Sequence, residues 1–477
     1  MAMGVDMEVD DFVTKSQTFV SWLEKSGVTI SDKIELADLR SRGAGRGVVA
    51  KVEIAEDEVL FTVPRTSILS PETSNLPKNI TAGLEDPWLS LILDMVYENQ
   101  QRERSKWRPY LDILPREFDT LMFWDEDMLN FLKGSAVLSK IGKDSANESF
   151  TTRLLPIIRS NNDLYNTKHV SDPNLLELCH RMASTIMAYG FDLPSQEAAT
   201  SEQEDGWEVD SNASTAATPK GMIPLADLLN ANADLNNAKL YHTPDAVEMR
   251  SIKPISAGDE LFNDYGPLPR ADLLRRYGYT TDEYAKYDVV EITEELIFLP
   301  ASKTLGLSTQ VLQERLDYLE EHDVLDTAYD ISHCDSKDLT TSPFPEELTT
   351  ALNTFALSTQ DFKTLKTKSK LPKPDPSEKT CDLLRAMLER RGGLYLHNTY
   401  TQDQNEIDDM RKNWDLSKSG AKRRLMAFEV LCGEKQVLAG ARDWTEERRK
   451  GWLLEGDNKR QAEEKAEGQR MGKRGKK

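Results

Sequence analysis

Two short segments carry residue types that could orient a small charged ligand and one reacting atom: Pro224-Leu-Ala-Asp-Leu-Leu-Asn230 and Leu261-Phe-Asn-Asp-Tyr-Gly266. Asn230 has two donor hydrogens and an acceptor on one planar group, so it can bridge a bound molecule and the backbone. Tyr265 offers a hydroxyl on a rigid ring, suited to orienting an amine lone pair at the mouth of a channel. Further on, Leu273-Leu-Arg-Arg-Tyr-Gly-Tyr279 adds Tyr277 and Tyr279, whose faces attract sulfonium and ammonium groups. Each tyrosine taken singly also suits a core position with a satisfied hydroxyl, and Asp227 also suits a cap or strand end. Such a set suits a step that needs positioning and exclusion of water more than acid–base work.

These residues need rigid backbone on both sides. Val247-Glu-Met-Arg-Ser251 alternates like a half-buried strand, and Lys253-Pro-Ile-Ser-Ala-Gly-Asp259 supplies a turn. A third element lies near the N-terminus, Ser41-Arg-Gly-Ala-Gly-Arg-Gly47. A dinucleotide fold needs a strand before such glycines and a helix after them. Here Val-Val-Ala-Lys-Val-Glu-Ile follows as a strand, Glu35-Leu-Ala-Asp-Leu-Arg40 shows no buried-strand run, and no Lys-Ser or Lys-Thr completes a phosphate loop. What remains is glycine used for close backbone approach to a ligand, or a plain loop leading into a hairpin.

Strand character continues through Val-Leu-Phe-Thr-Val and ends at Pro64. Residues 11–26 pattern as a short amphipathic helix stopped by Gly27. Residues 85–192 read as mostly helical, with Asn174 placed to cap the helix carrying Leu175, Leu178, Met182, Ile186 and Tyr189. The Ser-, Thr-, Ala- and acid-rich stretch 193–219 reads as a disordered surface loop. Helices dominate from about 285, with a polar break at 366–380, a long helix over 419–438 and a basic end at Arg470-Met-Gly-Lys-Arg-Gly-Lys-Lys477.

The net charge of -21 argues against duplex nucleic acid as a partner and suits a basic protein. Cysteines at 179, 334, 381 and 432 lack metal-site spacing, so neither zinc nor a disulfide framework is expected. No apolar run approaches the roughly 20 residues a membrane helix needs. The acidic start lacks a signal-peptide pattern, so the cytosol or nucleus is expected.

Taken together, the Arg-Gly-Ala-Gly-Arg-Gly loop followed by Val48-Val-Ala50, the Asp-Leu-Leu-Asn segment and the Glu260-Leu-Phe-Asn-Asp-Tyr-Gly266 segment resemble the SET domain of protein-lysine methyltransferases. Arg391-Gly-Gly-Leu-Tyr395 and Ala421-Lys-Arg-Arg-Leu-Met-Ala-Phe-Glu-Val-Leu-Cys-Gly-Glu-Lys435 extend the likeness to the Rubisco large-subunit methyltransferase group. Leu273 to Tyr279 and Lys286-Tyr-Asp-Val-Val-Glu291 are most similar to its fungal ribosomal lysine methyltransferase branch.

The resemblance implies an α+β fold: an N-terminal segment over 1–19, then a SET domain over 20–280, small β-sheets around a pseudoknot-like core. A helical insert over about 85–192 interrupts it. An all-α substrate-binding domain follows over 285–455, with a charged tail over 456–477. It implies S-adenosyl-L-methionine as methyl donor, no metal, and a basic protein substrate, a ribosomal protein as in that branch, carrying one added methyl, with residence in the nucleus or cytoplasm. Tyr265 takes the catalytic position. Gly45, Arg46, Gly47, Tyr189, Asn230, Ala231 and Tyr277 fall on cofactor positions, and Trp107, Asp192, Asp227 and Tyr279 on substrate positions. Ala231 departs from the family's Asn-His pair, a feature shared with that branch. The same departure leans toward an alternative, a non-catalytic SET scaffold that docks a partner.

Overall fold

Short alternating runs in the first half of the chain become many small strands, none long enough to build one large sheet. A computed structural model describes residues 3–194, 218–335, 338–395 and 399–474. They divide into two units. The first comprises Met1–Trp124, Ile141–Leu268 and Asp272–Tyr279, and the second Asp125–Lys140, Pro269–Ala271 and Thr280–Lys477.

The strands of the first unit are, in chain order, β1 (Thr29–Ile30), β2 (Ile34–Asp38), β3 (Arg46–Ala50), β4 (Val59–Pro64), β5 (Gly190–Asp192), β6 (Lys220–Met222), β7 (Asn230–Ala231), β8 (Ala238–His242), β9 (Ala246–Ser251) and β10 (Phe262–Asn263). One sheet has the order β1-β4-β9-β8, and β2-β3, β5-β6 and β7-β10 are two-stranded. Strand β4 runs antiparallel to β9 with a bulge between Val59 and Phe61. Phe61, Val63, Val247 and Met249 point into the core, as a period of two requires.

Three features differ from the sequence reading. The N-terminal helix covers Met3–Lys25, crosses the expected boundary at residue 19, and seats Phe19 and Leu23 in the core. The helix Asp172–Tyr189 is capped by Ser171, whose side chain accepts from the Asn174 amide, so Asn174 sits inside the first turn. Strand β2 does precede the glycines, pairing antiparallel with β3. Only Ile34 of β2 is fully buried, which is why no apolar run announced it. The insert is broken into short turns around the longer helices Pro87–Gln101 and Asp172–Tyr189.

Among the described residues, the second unit is helical apart from the antiparallel pair β11 (Val289–Thr293) and β12 (Ala328–Ser332). Ser308, Ser358, Ser377 and Thr399 cap its helices, the last through a full capping box with Gln402. Asp125–Lys140, contiguous in sequence with the insert of the first unit, belongs here. Buried Arg391 donates to the Gly134 and Glu291 carbonyls, and Ser135 and Tyr395 both donate to Glu434. The Arg391-Gly-Gly-Leu-Tyr395 motif is thereby a packing device. The last helix runs Ser419–Arg474, well past the expected end at 438. The loop expected over 193–219 falls, from 195 to 217, outside the described residues, as do the side chains of the charged tail.

Candidate active site

The glycine loop is the tip of the β2-β3 hairpin. A short turn over Arg40–Arg42 is closed by Gly43 in the left-handed region (φ 80°), and the Leu39 amide donates to the Gly45 carbonyl at 2.9 Å. A Cβ built on Gly45 meets nothing within 4 Å, so its backbone is open to a ligand. At Gly47 the reason for glycine is different. A Cβ there would lie 2.4 Å from the Leu39 side chain, 3.0 Å from Glu260 Oε1 and 3.1 Å from Asn230 Nδ2. Arg46 packs its side chain on the N-terminal helix. Its guanidinium lies 3.9 Å from the Phe12 ring centroid and donates to Ser16 Oγ at 3.0 Å, which ties the N-terminal helix down.

The two chemistry-bearing segments meet in the parallel pair β7-β10, with Phe262 opposite Asn230 and Asn263 opposite Ala231. Tyr265 follows directly, and its ring stacks on Tyr277 with centroids 4.2 Å apart and planes 6° from parallel. Tyr277 meets Tyr279 edge-on at 6.4 Å. All three rings are half-buried, as is Asn230. Gly278 between the last two has φ 77°, and a Cβ there would clash with the Thr120 amide at 2.9 Å, so the spacing Tyr-Gly-Tyr is sterically fixed.

A second cluster joins Asp227, Tyr110 and Tyr189. Tyr110 donates its hydroxyl to the Asp227 carboxylate. Burial pushes Asp227 up to about 7 against that hydrogen bond. Tyr189 is pushed up to about 12, by burial first and then by the Asp227 charge. The turn that presents Asp227 begins at Leu225, a buried residue with φ 76°, a conformation L side chains rarely adopt.

Of the remaining sequence candidates, Asp192 is ion-paired with Lys220, a nearly buried lysine of the same hairpin that also lies 5.5 Å from the Trp88 ring. Trp107 is buried at 1% exposure against Trp22, with ring centroids 5.7 Å apart, and belongs to the core cluster of the first unit.

Sequence reading missed two residues that hold the site together. Asn237, 7% exposed, donates to the Glu260 carbonyl at 2.9 Å and accepts from the Phe262 amide at 2.8 Å, strapping β10 in place. Glu260 accepts from Asn230 Nδ2 at 2.6 Å. Neither role has a local signal, because each depends on a partner brought from elsewhere in the chain.

The model of the SET domain matches residues 45–266, opening on the glycine loop and closing on Gly266 beside Tyr265, and that of the Rubisco LSMT substrate-binding domain matches residues 306–438. The chain belongs to the SET-domain protein-lysine methyltransferases that carry a Rubisco LSMT-type substrate-binding domain. Ribosomal lysine N-methyltransferase 4 of Saccharomyces cerevisiae is 34% identical over 325 residues, which span 66% of this chain and 65% of that protein's length. N-lysine methyltransferase setd6 of Xenopus laevis is 32% identical over 333 residues, 66% of this chain and 68% of that protein. The SETD6 enzyme of Rattus norvegicus is 27% identical over 446 residues, 88% of each chain. The crystal structure of the SET domain of LSMT bound to lysine and AdoHcy shares the fold, with a TM-score of 0.67 at 22% identity over 91% of this chain and 92% of that one.

Proposed function

We propose that this chain transfers one methyl group from S-adenosyl-L-methionine to a lysine of a ribosomal protein. The observation that carries the reading is the parallel β7-β10 pair, which sets Asn230 and the Tyr265 segment side by side next to the glycine hairpin. The residues suit the donor: open backbone at Gly45, an amide at Asn230, the backbone of Ala231, and aromatic surface at Tyr277 and Tyr189. When bound, the donor supplies a methyl group on a positively charged sulfur.

The chain's own part is positional. The lysine nitrogen must arrive neutral, desolvated and in line with the methyl group. Tyr265 holds that nitrogen through its hydroxyl, and Tyr279 forms the adjoining surface. Asp227, poised near neutral pH by burial, and Asp192 lie on the substrate side. The stack of Tyr265 on Tyr277, with Tyr279 edge-on, crowds the acceptor side and supports a single methyl addition. The ribosomal substrate is supported by the name of the yeast relative and by a net charge of -21, which steers lysine-rich partners. Ala231 does not favour the non-catalytic scaffold, because Asn230 is held by other partners. Residence in the nucleus, in keeping with the basic C-terminal end, belongs to the same proposal and is read by imaging the tagged chain.

The test is incubation of the protein with labelled methyl donor and ribosomal subunits stripped of methylation by growth without the enzyme. Label on one lysine of one ribosomal protein, as monomethyl-lysine, is the expected result. Label only on non-ribosomal proteins would overturn the substrate assignment, and no transfer to any protein would overturn the activity.

A further inference from the structure

Asn230 is gripped from one side by two acceptors. Its Nδ2 donates to Glu260 Oε1 at 2.6 Å and to the Arg46 carbonyl at 3.4 Å. An amide turned the other way would set its own carbonyl oxygen against a carboxylate and a carbonyl, three acceptors with no proton among them. The side chain therefore has one usable orientation, with Oδ1 facing away from β3. Glycine at 47 is what permits the approach, since a Cβ there would crowd both Glu260 and Asn230. Glu260 is itself fixed: it bridges to Val49, its carbonyl accepts from Asn237, and the next amide, Leu261, donates to the Val48 carbonyl at 2.8 Å. Position 231 is alanine, so no polar side chain there shares the task.

We propose that Glu260 is a positioning residue of the donor site: it locks the Asn230 amide so that an acceptor oxygen, and not a donor, is presented to the ammonium group of the methyl donor's amino-acid end. The inference rests on the methyltransferase reading above. It assigns Glu260 no contact with the reacting atoms; it acts through Asn230.

The experiment is calorimetric titration of the full chain with two ligands, S-adenosylhomocysteine, which has the ammonium group, and 5′-methylthioadenosine, which lacks the amino-acid end. Glu260→Ala is expected to weaken S-adenosylhomocysteine at least ~10-fold, the loss of one charge-assisted contact, and to change 5′-methylthioadenosine less than ~2-fold. Glu260→Gln keeps an acceptor oxygen for Asn230 Nδ2 and is expected to stay within ~3-fold of wild type for both ligands. Unchanged S-adenosylhomocysteine binding in Glu260→Ala overturns the inference. So does an equal loss of both ligands, which marks a general structural role, and so does a Glu260→Gln loss as large as that of alanine. Wild-type protein that binds neither ligand overturns the methyltransferase reading itself.

Discussion

Tyr265→Phe isolates a single oxygen atom. The Tyr265 ring lies 4.2 Å from Tyr277 and 6° from parallel, and phenylalanine keeps that stack, with its contribution of about 0.5–1.5 kcal/mol. Only the hydroxyl is lost. A hydrogen bond between neutral groups contributes about 0.5–1.5 kcal/mol, and one to a charged group about 1.5–3 kcal/mol. The lysine nitrogen gains positive charge as the new bond forms, so the upper range applies. At 1.36 kcal/mol per decade, the expected loss in kcat is about 10- to 150-fold. Donor affinity should change less than about 3-fold, because the contact is made chiefly during reaction. The assay is single-turnover transfer of labelled methyl to a substrate protein, with donor affinity measured separately by calorimetry and folding by thermal unfolding. An unchanged kcat would remove the hydroxyl from the mechanism. A normal kcat with weakened donor binding would move Tyr265 to the cofactor contacts.

Gly47→Ala is expected to destabilise by about 1–3 kcal/mol and to weaken donor binding, because the new methyl would overlap Leu39 and press on the Glu260–Asn230 contact; a variant that melts and binds like wild type would refute this. Asp94, 1% exposed in the helix Pro87–Gln101, is pushed up to about 7 by burial, so the folded chain holds its proton from about pH 4 to 7 while the unfolded chain releases it. Its carboxyl therefore lowers stability as pH rises through that window. Asp94→Asn should gain on wild type progressively from pH 4 to 7, toward at most about 4 kcal/mol, in urea unfolding; a difference independent of pH would exclude it. Glu434→Ala leaves buried Arg391 without its carboxylate and should cost about 3–5 kcal/mol in denaturant unfolding, with Glu434→Gln milder; a loss below about 1 kcal/mol would show that the network carries no stability.

The site was legible where chemistry sits on short segments bounded by turns. Asn230, Tyr265, Tyr277 and the glycines of 43–47 all lie in such segments, and the parallel pair β7-β10 brings the first two together. What could not be read depends on distant partners. Ser135 meets Glu434 across 299 residues and Arg391 meets Gly134 across 257, which is why the allegiance of 125–140 was hidden. Glu260 stands in the sequence only as the first residue of the Glu260–Gly266 segment, because its contact with Asn230 reaches across 30 residues. Strand β2 buries one face only at Ile34, leaving no apolar period to detect. The cap at Ser171 did have a signal, the Asp172-Pro173 pair that opens a helix, which outranks Asn174. Beyond Leu438 the last helix becomes so polar that its period fades, though its backbone continues to Arg474.

The hydrogen bond from Asn230 to the Arg46 carbonyl closes a loop of 184 residues. During synthesis the glycine hairpin leaves the ribosome early, yet nothing can complete it until β7, β10 and Tyr277 have emerged. A nascent chain halted anywhere before that point has no donor-binding capacity to lose or to gain from. Newly made protein thus acquires ligand protection in one late step, and a premature stop in the first half of the message yields fragments that the methyl donor cannot rescue from proteolysis.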